Sequence, residues 1–360
     1  MTAAVDVAQY GTTSPSWRNR IINGGMTIDQ RNAGASITPA SQQYALDRWI
    51  CGLTQASKYT VQQNAGAVTP PVGFTNYSGI TSTSAYSVAS GDIFYYEQRI
   101  EGFNVADLGF GTANASLITI SFWVRSSLTG TFGGALRNVD NTLSYPFNYS
   151  IPVANTWTQI SIVVAGPTTG TWNTTNSVGL RVTFALGGGS TYSGTAGSWS
   201  ASEFYTATGA VSVVGTSGAT FYITGVQLEA GSAASPFDYR DYGRELIMCQ
   251  RYYYRITPSA VGADYANGFS DTTTRGLVFL PFKVSMRTTP TALEQSGTAS
   301  NYSIRSAAGT TTCSAVPNFF SATVDTAIVQ LNVASGLTAG QGLNLRPATT
   351  SAYLGWSAEL

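Results

Sequence analysis

Residues 178–187 read VGLRVTFALG, and apolar residues take every second position. Side chains alternate between the two faces of an extended chain, so this spacing gathers one apolar set on a single face. That set is Val178, Leu180, Val182, Phe184 and Leu186. Arg181 and Thr183 face the other way, and we expect Arg181 on a solvent-facing strand edge. The pattern is typical of a strand that packs on a second sheet.

The same alternation recurs at residues 118–127, 157–166 and 219–231, where Ser-, Thr- and Gly-rich connections separate the segments. Gly24-Gly25 is expected to form a tight turn. Short strands joined by polar turns predict an all-β protein, here a jelly-roll β-sandwich over residues 18–236. The preceding residues 1–17 are predicted to form an N-terminal attachment arm.

Residues 237–255, FDYRDYGRELIMCQRYYYR, concentrate charge in a chain that otherwise avoids it. They hold seven of the chain's 36 Asp, Glu, Lys and Arg residues. Apolar positions at spacings of three and four predict a helix over about 241–255, within a junction segment at 237–256. Strand-like runs at 276–284, 326–335 and 352–360 then predict a second small β-sandwich over 257–360.

Two interpretations of this junction helix stay open. Its side chains either meet those of like helices around the axis of an oligomer, or pack only within their own chain. In the first case Tyr252 to Tyr254 stack across the axis and the arginines pair with carboxylates. The predicted oligomer contacts are Arg244, Glu245, Arg251, Tyr252, Tyr253 and Arg255.

Composition excludes several classes of function. The formal net charge is zero, which argues against a nucleic-acid partner. No apolar run is long enough to span a bilayer, and the first residues do not resemble a secretion signal. Histidine is absent, which removes His-based nucleophile activation and His-ligated metals. We therefore predict no cofactor, no metal site and no membrane insertion, and interpret Cys51, Cys249 and Cys313 as buried thiols.

Several segments resemble tailed-bacteriophage tail-fibre and virion-surface proteins. They are NRIINGGMTIDQRN (19–32), the strand YALDRW (44–49), VQLEAGSAASPFDYRDYGRELIMCQRYYYR (226–255), LPFKVSMRTTPTAL (280–293) and the terminal SAEL. The resemblance covers roughly residues 18–360. It implies a carbohydrate-binding-module-like jelly roll, a junction helix and a small terminal β domain, often in trimers. It supplies no catalytic residues.

The residues suggest two further kinds of chemistry, glycoside hydrolysis and sugar binding. Glycoside hydrolysis needs two carboxylates that face one cleft, and Glu97 and Glu101 lie on one face of a strand. Because Arg99 lies between them, ion pairing is the simpler interpretation, and no catalytic residue is predicted. Exposed rings on polar loops suit sugar binding, so Trp172, Tyr192 and Trp199 are the predicted carbohydrate-binding residues.

The sequence therefore predicts a non-enzymatic bacteriophage structural protein, a tail-fibre or receptor-binding subunit that contacts host surface glycans. A capsid decoration or head-spike protein is the alternative, and a polysaccharide-degrading fibre is the third hypothesis. The expected partners are two further copies in a homotrimer, other virion proteins through the arm, and host cell-surface polysaccharide. The expected location is the virion surface, after assembly in the bacterial cytoplasm.

Overall fold

The computed structural model describes residues 18–360, so the predicted arm at residues 1–17 lies outside the described residues. The chain divides after Tyr242 into two compact units, with Leu360 belonging to the first and Gly243–Glu359 forming the second. Among residues 18–360, no helix is long and apolar enough to cross a membrane.

The first unit is a jelly-roll-like β-sandwich of two antiparallel sheets. Its strands are β1 (Gln43–Leu46), β2 (Trp49–Leu53), β3 (Tyr59–Gln63), β4 (Ser78–Ser82), β5 (Ile93–Glu101), β6 (Ile118–Ser126), β7 (Gly130–Arg137), β8 (Ser144–Ile151), β9 (Thr158–Val164), β10 (Val178–Gly188), β11 (Ser193–Gly194), β12 (Thr206–Ala207) and β13 (Thr220–Ala230). One sheet has the order β1–β2–β5–β10–β7–β8, and the other β3–β4–β13–β6–β9. The pair β11–β12 is parallel.

The core of the first unit lies between these sheets, as the alternation predicts. Leu180, Val182 and Phe184 of β10 meet Ile120 and Phe122 of β6 in one buried cluster. Gly24 also has a packing role, because a Cβ there would lie 2.1 Å from the carbonyl oxygen of Val226. No side chain fits at that position.

The second unit is a smaller β-sandwich that follows α1 (Tyr242–Gln250), the single α-helix among residues 18–360. Its strands are β14 (Tyr253–Ile256), β15 (Ala266–Ser270), β16 (Arg275–Pro281), β17 (Glu294–Gln295), β18 (Tyr302–Ser306), β19 (Gly309–Thr312), β20 (Asn318–Ala322), β21 (Thr326–Asn332), β22 (Gly342–Pro347) and β23 (Leu354–Ser357). The sheets have the orders β14–β23–β17 and β19–β18–β22–β15–β16–β21–β20. Short 3-10 turns occur at Ala65–Ala67, Gly102–Asn104, Ala106–Leu108, Ser190–Tyr192 and Ala299–Asn301.

Two predicted elements differ from the structure. The junction helix ends at Gln250, five residues before its predicted end, because Tyr253–Ile256 pairs as β14 with β23. The segment YALDRW is a tight corner between β1 and β2 rather than one strand. Arg48 has a φ of 70°, a left-handed conformation that ends the extended run.

The three cysteines are buried, as predicted, and Cys51 and Cys313 are free thiols. Burial raises the pKa of the Cys313 thiol to about 12. It raises the pKa of Cys51 as well, and this effect outweighs the hydrogen bond with Tyr59. Both side chains therefore stay protonated near neutral pH and behave as small apolar groups.

Candidate functional site

Three arginines lie in one row across the outer face of the six-stranded sheet. Arg181 of β10 pairs in register with Arg99 of β5 on one side and with Arg137 of β7 on the other. Like charges placed opposite each other destabilise a sheet unless a counter-charge is close. The next row supplies it, because Glu97 of β5 pairs in register with Thr183 of β10.

Glu97 contacts all three arginines and is completely buried. Its Oε1 lies 3.1 Å from Arg99 Nε and 3.2 Å from Arg181 Nη1, while its Oε2 accepts hydrogen bonds from Arg137 and, at 2.7 Å, from Thr183. Burial alone would raise the pKa of Glu97. The three guanidinium groups outweigh burial and lower its pKa from 4.5 to about 2. Glu97 therefore stays ionised and fixes the arginines in place.

Tyrosine rings cover this charged row. The Arg137 guanidinium carbon lies 3.5 Å from the centre of the Tyr205 ring, and the Tyr205 and Tyr95 rings are 5.0 Å apart. Tyr95 in turn lies over Gly52, where a Cβ would come within 1.9 Å of the ring. We call this surface the arginine–tyrosine face, defined by Tyr95, Arg99, Arg137, Arg181 and Tyr205.

The rim of the arginine–tyrosine face carries partly exposed polar groups. Glu203 accepts a hydrogen bond from the Tyr205 hydroxyl at 2.6 Å, and its side chain is 41% exposed. The exposed Gln42 donates to the Tyr95 hydroxyl at 2.8 Å. Tyr192 packs edge-on against Tyr205 at 5.4 Å. Each rim group is therefore held by a buried partner, so its position is set before a ligand arrives.

The predicted sugar-binding residues do not come together as one site. Tyr192 lies at the rim described above, whereas Trp172 and Trp199 contact each other elsewhere, with ring centres 5.5 Å apart. Both indole N–H groups donate to main-chain oxygens, of Thr169 and Ala165, and both rings are half-buried against the core. These two tryptophans therefore hold loops in place.

Arg181 does not lie on a solvent-facing strand edge, so that expectation is wrong. Its strand is in the middle of the sheet, and its side chain is only 13% exposed because Glu97 holds it. The ion pairing expected between Glu97 and Arg99 is present, but Tyr95, Arg137 and Tyr205 were not predicted. One sequence signal could have indicated this surface. It is an arginine at a polar position of an alternating strand, in a chain that contains little charge.

The predicted oligomer contacts are partly buried within the chain. Tyr252 and Tyr253 are completely buried, and the Tyr253 hydroxyl donates to Glu294 at 2.8 Å. Their rings cannot stack across an axis, so that part of the expectation is wrong. Glu245 is also buried, and the Arg255 guanidinium lies 3.7 Å from the centre of the Tyr353 ring.

Other residues of the predicted helix lie at the surface of the single chain. Arg244 is exposed, and Arg251 is half-buried. On the same helix, Tyr242 is 65% and Ile247 51% exposed. Within residues 18–360, no three Cys, Asp or Glu side chains gather as metal ligands would.

Comparisons with known proteins find similar structures but no similar sequence. No protein-family model matches the chain. No curated protein matches it either.

Three of the similar solved structures illustrate the likeness. The enzymatically active domain of tailspike protein 4 of bacteriophage CBA120 is 14% identical, with a TM-score of 0.34, over 61% of this chain and 22% of that one. The module TmCBM61, in complex with β-1,4-galactotriose, is 10% identical, with a TM-score of 0.31, over 59% of this chain and 99% of that one. The family 11 carbohydrate-binding module of Clostridium thermocellum Lic26A-Cel5E is 13% identical, with a TM-score of 0.26, over 56% and 99%.

This chain thus spans about a fifth of the tailspike structure.

Proposed function

We propose that this chain is a non-enzymatic structural protein of a bacteriophage virion, a tail-fibre or receptor-binding subunit that contacts host surface glycans. The contact surface is the rim of the arginine–tyrosine face. The observation that carries the proposal is the combination there of a ring, a carboxylate and an amide, each fixed from below. The sequence resemblance to virion-surface proteins supports the setting.

The rim suits a sugar because its groups match both the apolar C–H face and the hydroxyl groups of a pyranose ring. A tyrosine ring offers an apolar surface for the C–H face, and Tyr192 lies at the open edge. Carboxylate and amide groups bond hydroxyls, and Glu203 and Gln42 supply one of each. A small number of well-placed polar groups beside aromatic rings is the common composition of ligand sites.

Glu97 itself is not suited to act as the general acid of a glycosidase. A glycosidase needs one carboxylic acid that is protonated near its working pH and can give that proton to the leaving oxygen. Because the pKa of Glu97 is lowered to about 2, this group carries no proton to give near neutral pH. Glu97 instead binds Arg137. The Arg137 guanidinium packs on the Tyr205 ring, and the Tyr205 hydroxyl donates a hydrogen bond to Glu203.

Glu203→Gln is expected to weaken glycan binding at least about tenfold, since a hydrogen bond to a charged group contributes about 1.5–3 kcal/mol. The measurement is isothermal titration of the purified protein with oligosaccharides released from the host surface. Asp107→Asn is the matched control, because Asp107 is also an ion-paired surface carboxylate, 57% exposed and 2.6 Å from Arg20. Equal affinities for the two variants, or no binding by the unmodified protein, would remove the proposed site.

The proposed assembly is a homotrimer displayed on the virion surface after assembly in the host cytoplasm, attached to other virion proteins through residues 1–17. The exposed part of α1 is the proposed contact. Tyr242, Arg244 and Ile247 face solvent in the single chain and could lie between copies. Exposed apolar side chains on an otherwise polar helix are common at protein interfaces.

Arg251→Ala is expected to shift the trimer toward monomer, which sedimentation equilibrium measures. Arg251 directly follows α1 and is half-buried in the single chain, and in the proposed trimer it pairs with a carboxylate that assembly buries. Removing one partner of such a buried pair costs about 3–5 kcal/mol, whereas an exposed pair is worth about 0–1 kcal/mol. Arg305→Ala is the control, because Arg305 is exposed on β18. If both variants assemble equally well, the helix only connects the two units.

A further inference from the structure

A cleft of about 370 Å³ lies within the second unit. Tyr254, Arg255 and Ser259 form part of its lining, together with Asp264, Tyr265 and Lys283. The volume is near the lower end of the roughly 300–1,000 Å³ that small-molecule sites occupy. The cleft therefore has room for a small ligand and combines rings, charges and a hydroxyl.

The two aromatic walls of the cleft are fixed by their surroundings. Tyr254 stacks on the buried Trp356, with ring centres 6.2 Å apart and planes inclined by 24°. The Tyr265 hydroxyl donates to the main-chain oxygen of Ala352 at 3.0 Å. Rings held in this way lose little conformational freedom when a ligand binds, which favours affinity.

The charges in the cleft favour an anion. The one carboxylate in the lining, Asp264, is already engaged by β22, through Arg346 at 2.5 Å and Asn344 at 2.6 Å. The hydrogen bond from Arg346 is the main reason that the pKa of Asp264 is lowered, so this carboxylate is ionised and balanced. The lining also holds Arg255, whose guanidinium already packs on the Tyr353 ring, and one further cation, Lys283. Lys283 is exposed and has no ion-pair partner among residues 18–360.

We propose that this cleft is a second binding site, for a small hydroxylated ligand that carries an anionic group, as in an acidic monosaccharide. The Lys283 ammonium group binds the anion at the rim. The partly exposed Tyr265 ring contacts the apolar face of the ligand, and the Ser259 hydroxyl bonds a ligand hydroxyl. This site is independent of the glycan contact proposed for the first unit.

Selective acetylation of lysine tests the proposal, because the chain has only two lysines, Lys58 and Lys283. Lys58 lies in the first unit, with its ammonium group 4.7 Å from the centre of the Tyr86 ring, and serves as the internal control. Intact protein is acetylated in the presence of glucuronate, glucose 6-phosphate or glucose, and each site is quantified by mass spectrometry. We expect a sugar anion to slow acetylation of Lys283 several-fold and to leave Lys58 unchanged.

The three sugars separate the sources of the anion. Protection by glucuronate assigns a carboxylate ligand, and protection by glucose 6-phosphate alone assigns a phosphate ligand. Equal protection by glucose, no protection by any sugar, or equal protection of both lysines overturns the proposal.

A binding titration provides a second test. Lys283→Gln should weaken binding of the protecting sugar at least about tenfold, because it removes a charged hydrogen-bond donor. Arg275→Gln removes one cation of the same unit that lies outside the cleft lining, with a side chain 43% exposed, and should leave binding unchanged. Equal affinities for the two variants also overturn the proposal.

Discussion

Glu97→Gln is expected to lower the free energy of unfolding of the first unit by about 3–5 kcal/mol, since it leaves three clustered arginines without their shared carboxylate. Arg137 is only 1% exposed, and Arg99 and Arg181 are each 13% exposed, so solvent cannot replace the lost counter-charge. Urea denaturation followed by circular dichroism measures the change. Glu203→Gln is the matched control and should cost no more than about 1 kcal/mol, because its carboxylate is 41% exposed.

The lowered pKa of Glu97 predicts how the stability effect of Glu97→Gln depends on pH. The pKa of Glu97 is about 2 in the folded chain and near 4.5 without its partners, so its stabilisation is fully present above pH 4.5 and is lost as pH falls toward 2. That difference corresponds to about 3 kcal/mol. The stability gap between the unmodified protein and Glu97→Gln should therefore narrow over this range. A gap that stays constant from pH 5 to pH 2.5 would show that the ionised carboxylate does not hold the arginines.

Trp356→Ala is expected to destabilise the second unit by about 3–5 kcal/mol, the usual cost of removing a large buried ring. Trp356 is completely buried between Tyr254 and Phe282, with ring centres 6.2 and 5.5 Å away. Among residues 18–360 its indole N–H finds no hydrogen-bond partner, so the loss is one of packing.

Hydrogen exchange resolves this effect by strand. Amides of β21, β22 and β23 should lose protection, while those of β5 and β10 keep theirs, since the two units have separate cores. Phe320→Ala removes a ring that is 49% exposed and should change stability by no more than about 0.5 kcal/mol. Unchanged protection of β21–β23 in Trp356→Ala would contradict the account of this core.

The strands were predictable because their alternation is local. In β10 the spacing of Leu180, Val182 and Phe184 identifies the buried face without knowledge of any other strand. The contacts made by the opposite face involve residues that are distant in the sequence. Glu97 reaches Arg181 from 84 positions earlier in the chain, so periodicity places the arginine on a face but does not identify its partner.

Long-range pairing also explains the helix that was predicted too long. The local pattern of residues 241–255 suits a helix throughout, yet Tyr253 pairs with Ser357 and Ile256 with Leu354. This pairing and the burial of Tyr252 and Tyr253 outweigh helical preference. The placement of the predicted sugar residues also depends on distant contacts. Trp172 and Trp199 are half-buried against the core, whereas Tyr192 lies at the rim, and sequence alone does not distinguish these two placements.

The proposed glycan contact is tested most directly by a crystal structure of the protein with an oligosaccharide from the host surface. We expect a sugar ring at the rim of the arginine–tyrosine face, stacked on Tyr192, with a hydroxyl hydrogen-bonded to the Glu203 carboxylate. An oligosaccharide bound instead at Trp172 and Trp199, with the rim empty, would contradict it.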